Sequence, residues 1–246
     1  MPAPAKRTDL FQESVIREMT RIAIRENAVN LAQGLPDDLP PPEVTAAAIE
    51  ALNSDYNQYS ITYGDYDLRQ ALSLEILSDI GISFDPEEEI TITCGVSEGI
   101  VAALLGLVNP GEEVIIFEPC YENYLPGIRL CGGEVKTIEL TPPKWEFRAE
   151  MLESAVTDKT KALVINTPMN PTGKVFKWEE LAAITEICKK KGIFIISDEI
   201  YRHIVYSSDD AKPAFSFEHV SPLESEGMEE LGVLVGGFSK TYSCTG

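Results

Sequence analysis

The chain has 246 residues, 44% of them hydrophobic, which is enough to bury a sizeable core in one large domain or two small ones. With 20 Lys and Arg against 40 Asp and Glu the net charge is −20, so phosphate backbones and anionic membrane surfaces are repelled and nucleic acid is not an expected partner. Five scattered cysteines without a Cys-x-x-Cys pair, and few histidines, offer no metal-ligand spacing. Neither a signal-peptide core nor a run of ~20 apolar residues is present, so the expectation is a soluble cytoplasmic chain with reduced thiols, no metal and no membrane contact.

In chain order, Leu10, Val15, Ile16, Met19, Ile22 and Ala23 recur at mostly helical spacing and predict a helix over 10–26, followed by a Pro-, Asp- and Gly-rich loop from Asn30 to Pro42. Pro41 and Pro42 suit the first turn of a helix over Glu43 to Leu52, and a second amphipathic run from Asp65 stops at Gly81. From Ile90 onward short apolar runs alternate with helix-length segments. The runs are Ile90–Thr93, Glu113–Phe117, Glu134–Leu140, Lys161–Asn166, Ile193–Ser197 and Leu231–Val235, with helices expected over Ser97–Val108 and Trp178–Lys190. This pattern predicts an α/β fold with a mainly parallel sheet flanked by helices, whose ligands sit at the carboxyl ends of the strands.

The residues just past those runs carry the chemistry. Cys94-Gly95-Val96-Ser97-Glu98-Gly99 leads into a helix whose first turn would offer free N–H groups to a phosphate, although a plain strand-to-helix turn reads the same way. Asn166-Thr167-Pro168-Met169-Asn170-Pro171-Thr172-Gly173 has the composition of a turn; it also places the Asn170 amide where a ligand would sit, with X-Pro bonds that can be cis. Asp198 follows a buried strand, a position where a carboxylate is costly unless it caps a helix or meets a cation, and Tyr201 lies one turn on. Lys240, in Gly236-Gly237-Phe238-Ser239-Lys240-Thr241, ends an apolar run where a lysine can be desolvated and made nucleophilic. A P-loop is disfavoured because Ser239 stands where that motif has glycine.

In this order the Asn-Pro-Thr-Gly, Asp-Glu-x-Tyr and Ser-Lys-Thr-Tyr blocks closely resemble the aspartate aminotransferase superfamily, the fold-type I pyridoxal 5′-phosphate (PLP) enzymes of aminotransferase class I/II, from about Asn30 to Gly246. The resemblance implies that Lys240 forms the Schiff base with PLP and later moves the substrate Cα proton. It implies that Asp198 pairs with the pyridinium nitrogen, that Asn170 and Tyr201 hydrogen-bond the ring O3′, and that Tyr121 stacks on the ring, though core packing explains Tyr121 equally. Val96 and Ser97 N–H groups would take the phosphate. Tyr59 would reach the phosphate of a second subunit, implying a homodimer, and Gly34, in Asn30-Leu31-Ala32-Gln33-Gly34-Leu35-Pro36-Asp37, would lie near the substrate carboxylate and permit close approach.

The implied organisation is an N-terminal helix and substrate-side loop over 1–40 and a PLP-binding large domain over 41–246, incomplete at its C-terminal end and without the small domain. Gly237 stands where many relatives have a phosphate-binding serine. The basic phosphate ligand eight residues past the lysine and the arginine that grips the substrate carboxylate fall beyond Gly246. Weak cofactor retention and little turnover are therefore expected of residues 1–246. The function implied is amino-group transfer between an amino acid of methionine, aromatic, kynurenine or aspartate type and a 2-oxo acid. A PLP-dependent carbon–sulfur β-lyase and an inactive PLP-binding fragment are the alternatives.

Overall fold

Runs rich in Val and Ile with no polar alternation are strands meant to be covered on both faces, and the centre of the fold is built from three of them. The computed structural model describes all residues except 1, 2, 4, 6, 7, 10–12, 35, 37, 207–218 and 246; Leu10, Leu35, Asp37 and Gly246 thus lie outside the described residues. Strands β1 (Glu113–Glu118), β2 (Glu134–Glu139), β3 (Thr160–Asn166), β4 (Phe194–Asp198) and β5 (Gly232–Val235) form one sheet in the order β2-β1-β3-β4-β5. Every pairing is parallel. The three inner strands are buried almost throughout, whereas β2 and β5 are more exposed, as edge strands are.

Alternate side chains of the inner strands feed two cores. Ile115, Phe117, Leu163, Ile165 and Ile195 pack with Leu152 of α6 (Ala149–Ala155) and with Leu181 and Ile184 of α7 (Trp178–Lys191). Val114, Ile116, Ala162, Val164 and Ile196 pack on the other side with Ile100 and Leu104 of α4 (Gly95–Leu107) and with Tyr124 and Ile128 of α5 (Tyr124–Leu130). Helices therefore cover both faces, and the segments leaving β1 and β3 turn to opposite sides. In sheets of this kind the carboxyl ends of strands whose connections part in this way are where ligands are bound.

The remaining helices are α1 (Val15–Arg25), α2 (Pro42–Asn53), α3 (Tyr66–Ile80) and the short α8 (Phe238–Thr241). Their ends follow local chemistry. Ser14 and Asp65 accept the Arg17 and Leu68 N–H groups as N-caps, Pro42 opens α2, and Gly81 ends α3 at φ 74°. Arg202, just past β4, bridges Glu75 at 2.8 Å and Asp79 at 3.2 Å, tying α3 to the sheet. All five cysteines are free. Among the described residues no helix is long and apolar enough to cross a membrane.

One expected strand is absent. Ile90–Thr93 is extended but pairs with no strand, and the Ile92 N–H donates instead to the Tyr63 carbonyl at 2.9 Å. Ile90–Thr93 and Leu234 of β5 both line a cavity of about 650 Å³. Helices α5, α6 and α8 carry no strong periodicity; Pro126 and Gly127 sit inside α5 itself. Because Leu163 is fully buried in the middle of β3, Leu163→Ala should lower stability by about 2–5 kcal/mol in urea unfolding; a loss under ~1 kcal/mol would contradict this account of the core.

Candidate active site

Register places three strand ends side by side: Asn166 of β3 pairs with Asp198 of β4, which pairs with Val235 of β5. The backbone at this point is held from both flanks. Asn166 Nδ2 and the Thr167 N–H donate to the Asp198 carbonyl at 2.9 and 3.1 Å, and the Glu199 N–H donates to the Val235 carbonyl at 2.8 Å.

Asp198 is 2% exposed. Its Oδ2 accepts the Tyr124 hydroxyl at 2.6 Å and its Oδ1 accepts the Ile200 N–H at 3.2 Å. Burial pushes its pKa up from 3.8 to about 6; the Tyr124 and Ile200 hydrogen bonds oppose the rise and the neighbouring Glu199 charge adds to it. Near neutral pH this is an ionised, desolvated carboxylate, the kind of group that a bound cation stabilises. Burial first, and then Asp198, push the Tyr124 hydroxyl well above its ordinary range, so it remains a donor. Sequence reasoning did not single out Tyr124. Its signal was slight, an aromatic residue three positions beyond Tyr121, and its ring meets that of Tyr121 edge-on at 5.7 Å.

Asn170 stands in the turn after β3, where Thr167-Pro168 and Asn170-Pro171 are both cis. The Asn166 side chain links this turn to β4, accepting the Asn170 N–H at 2.7 Å while donating to the Asp198 carbonyl. Asn170 Nδ2 reaches the Tyr201 hydroxyl at 3.5 Å, a long contact. Burial, then Asp198 and Tyr121, raise the Tyr201 pKa, and the Asn170 bond opposes them. Asp198, Tyr201, Asn170, Tyr121 and Tyr124 therefore share one locality.

The Lys240 Nζ donates to the Gly34 carbonyl at 2.9 Å, which joins two candidate residues 206 positions apart. Burial pulls the amine below the usual lysine range. A Cβ on Gly34 would meet nothing within 4 Å, so the glycine is not required by crowding within this chain. At Gly237 the opposite holds: a Cβ would lie 3.0 Å from Ile200 Cδ1 and 3.2 Å from Val96 Cγ2, leaving little room for a side chain.

Val96 and Ser97 lie in the first turn of α4, where backbone N–H groups have no intrahelical acceptor. Helix α4 comes close to β5 because residue 99 is glycine, whose Cβ would lie 3.3 Å from both Thr93 Oγ1 and Val235 Cγ1. Asn123, also not singled out from sequence, donates its amide to Ser97 Oγ at 3.3 Å and to the Tyr121 hydroxyl at 2.9 Å, linking the helix start to the aromatic ring. Tyr59 is fully exposed and is not brought to this locality. The 650 Å³ cavity is not the site either. It shares Gly95, Gly237 and Ser239 with the surrounding walls but is not lined by Asp198, Asn170, Tyr201 or Lys240.

The raised pKa has a defined linkage. A folded-state value of about 6 against 3.8 means that the folded chain holds the extra proton in this window, so stability falls as the pH rises through it. Asp198→Asn removes that dependence. The stability of the variant relative to the wild type should grow by about 1 kcal/mol between about pH 5 and 7, followed by urea unfolding; a constant difference would contradict the buried, ionised state.

Comparison with known proteins places the chain in a family. The family described as aminotransferase class I and II matches residues 26–246. A Mycobacterium tuberculosis protein named "Probable N-succinyldiaminopimelate aminotransferase" is 39% identical over 238 residues, 96% of this chain and 58% of its own length. A Saccharomyces cerevisiae protein named "Probable kynurenine--oxoglutarate transaminase" is 39% identical over 230 residues, 89% of this chain and 50% of its own. The solved structure of N-succinyldiaminopimelate aminotransferase from Mycobacterium tuberculosis superposes with a TM-score of 0.91 at 37% identity, covering 98% of this chain and 62% of that one. The chain thus spans half to three fifths of the length of these relatives. A family match across nine tenths of the sequence makes this chain a member of the class I and II aminotransferases.

Proposed function

We propose that the chain is the cofactor-binding part of a PLP-dependent aminotransferase that moves an amino group between an amino acid and a 2-oxo acid. The observation that carries the reading is Asp198, a desolvated carboxylate held by Tyr124 at 2.6 Å beside Asn170 and Tyr201. A protonated pyridine ring meets its need for a cation, the first turn of α4 meets that of a phosphate, and Lys240 supplies an amine of lowered pKa. The residues present therefore fit PLP.

When bound, PLP supplies an electron sink for the pair left when the substrate Cα loses its proton. The rest is the work of the chain. Asp198 would keep the ring nitrogen protonated, and Tyr124, bonded to it at 2.6 Å, would keep Asp198 in place. Asn170 and Tyr201 would donate to the ring's O3′, and Tyr121 would cover the ring. Lys240 would hold the cofactor covalently through Nζ and, once displaced by substrate, carry the Cα proton on that nitrogen; release from the Gly34 carbonyl is part of that change of partner. Val96 and Ser97 N–H groups would take the phosphate, with Tyr59 of a second copy completing it across a homodimer; its full exposure within one chain supports that reading.

The names of the relatives point to N-succinyldiaminopimelate and kynurenine as amino donors, and other relatives are named for methionine and aspartate. The proposed substrates are correspondingly an α-amino acid of this range and a 2-oxo acid acceptor. Borohydride reduction of the PLP-treated chain, followed by peptide mapping, tests the site. The label should fall on Lys240 and be lost in Lys240→Ala; a label on another lysine would refute the assignment. In a full-length form, pyruvate and ammonia released from a cysteine conjugate without amino-group transfer would indicate a β-lyase instead.

A further inference from the structure

Glu199 takes no part in the chemistry above, yet its side chain is as buried as any in the protein. Its carboxylate accepts three hydrogen bonds: Ser197 Oγ at 2.7 Å and Ser221 Oγ at 2.6 Å on Oε1, and His219 Nε2 at 2.7 Å on Oε2. Both the Glu199 and His219 side chains have 0% exposure. His219 Nδ1 is buried without a hydrogen-bond partner among the described residues, so the ring proton that makes a bond is the one on Nε2. Desolvating a carboxylate is costly, and an apolar cluster of the same volume would hold β4 at least as well. Structure alone gives little reason for a glutamate here.

Its place in the strand does. Successive residues at a strand end project to opposite sides: Asp198 meets Tyr124, while Glu199 meets Ser221 and His219. We propose that Glu199, gripped by Ser197, Ser221 and His219, is a positioning residue for Asp198, a fixed negative charge behind the strand end that strengthens the demand of Asp198 for a cation on its other side. This rests on the reading that Asp198 pairs with the cofactor ring. A charge one residue away acts on Asp198 through the low-dielectric interior; burial is the main cause of the raised Asp198 pKa, and the Glu199 charge adds a smaller rise. Facing Asp198 from other elements are Tyr124 and Tyr201, and facing Glu199 is His219. Glu75, Arg202 and His203 line the same cavity as Glu199, but there Arg202 already bonds Glu75.

The test is a carboxyl-carbon NMR titration of Asp198 in the cofactor-free chain. Glu199→Gln should lower the Asp198 midpoint by about half a unit or more, whereas Glu199→Asp, which keeps the charge, should stay near the wild type. A folded Glu199→Gln chain with an unmoved midpoint overturns the proposal, as do equal shifts in both variants. If Glu199→Gln does not fold, Ser221→Ala carries the test: with one donor fewer to spread the Glu199 charge, the midpoint should rise by about 0.3 unit, and no rise overturns the proposal. Since no PLP is present, this result is independent of the borohydride label that judges the cofactor reading.

Discussion

Everything proposed for this chain depends on one buried carboxylate. Asp198 ends a strand that is covered on both faces, and a rise in pKa from 3.8 to about 6 means that its ionised form costs the fold about 3 kcal/mol near neutral pH. That is a large share of the stability of an ordinary domain. The Tyr124 hydroxyl and the Ile200 N–H meet two of its lone pairs, and the sheet supplies the rest of what holds it there. A cation at this point would turn that cost into a source of affinity.

The fold explains why the carboxylate cannot move away. Asp198 is bonded through its backbone to β3 on one flank, residue 199 is bonded to β5 on the other, and α5 brings Tyr124 from a position 74 residues earlier. The partners thus arrive from the end of β3, from β5 and from the helix that follows β1. The nearby turn is held with similar redundancy: Met169 and Lys174 pair through their backbone, and Lys174 and Glu180, both largely buried, form an ion pair at 2.7 Å. Fixed geometry of this kind is what orienting a small cofactor requires.

Much of this was legible in the sequence where local chemistry decides the outcome. Asp65 and Gly81 bound α3 because capping acts within one turn, and β1, β3 and β4 could be read because strands covered on both faces carry unbroken apolar runs. Ile90–Thr93 has the same composition but joins no strand among the described residues, its Ile92 N–H going to the Tyr63 carbonyl instead, and no window of sequence reports which partner a segment will find. Tyr124 was hidden for a related reason: α5 is short and contains Pro126 and Gly127, and the role of the tyrosine exists only through a contact made far along the chain. Gly34 was expected to allow close approach of a substrate; within the chain the space beside it is open and its carbonyl accepts from Lys240 Nζ. The cavity beside β5 is lined by Gly95, Glu199, Gly237 and Ser239, sequence neighbours of the selected residues, but not by Asp198, Asn170, Tyr201 or Lys240 themselves.

The central claim, that Asp198 exists to meet a protonated ring nitrogen, is tested most directly by nitrogen NMR of PLP labelled with 15N in its ring, bound at saturation to this chain near neutral pH. The account predicts a protonated pyridine nitrogen in the wild type and an unprotonated one in Asp198→Ala. An unprotonated nitrogen in the wild type, or the same signal in both, would contradict it.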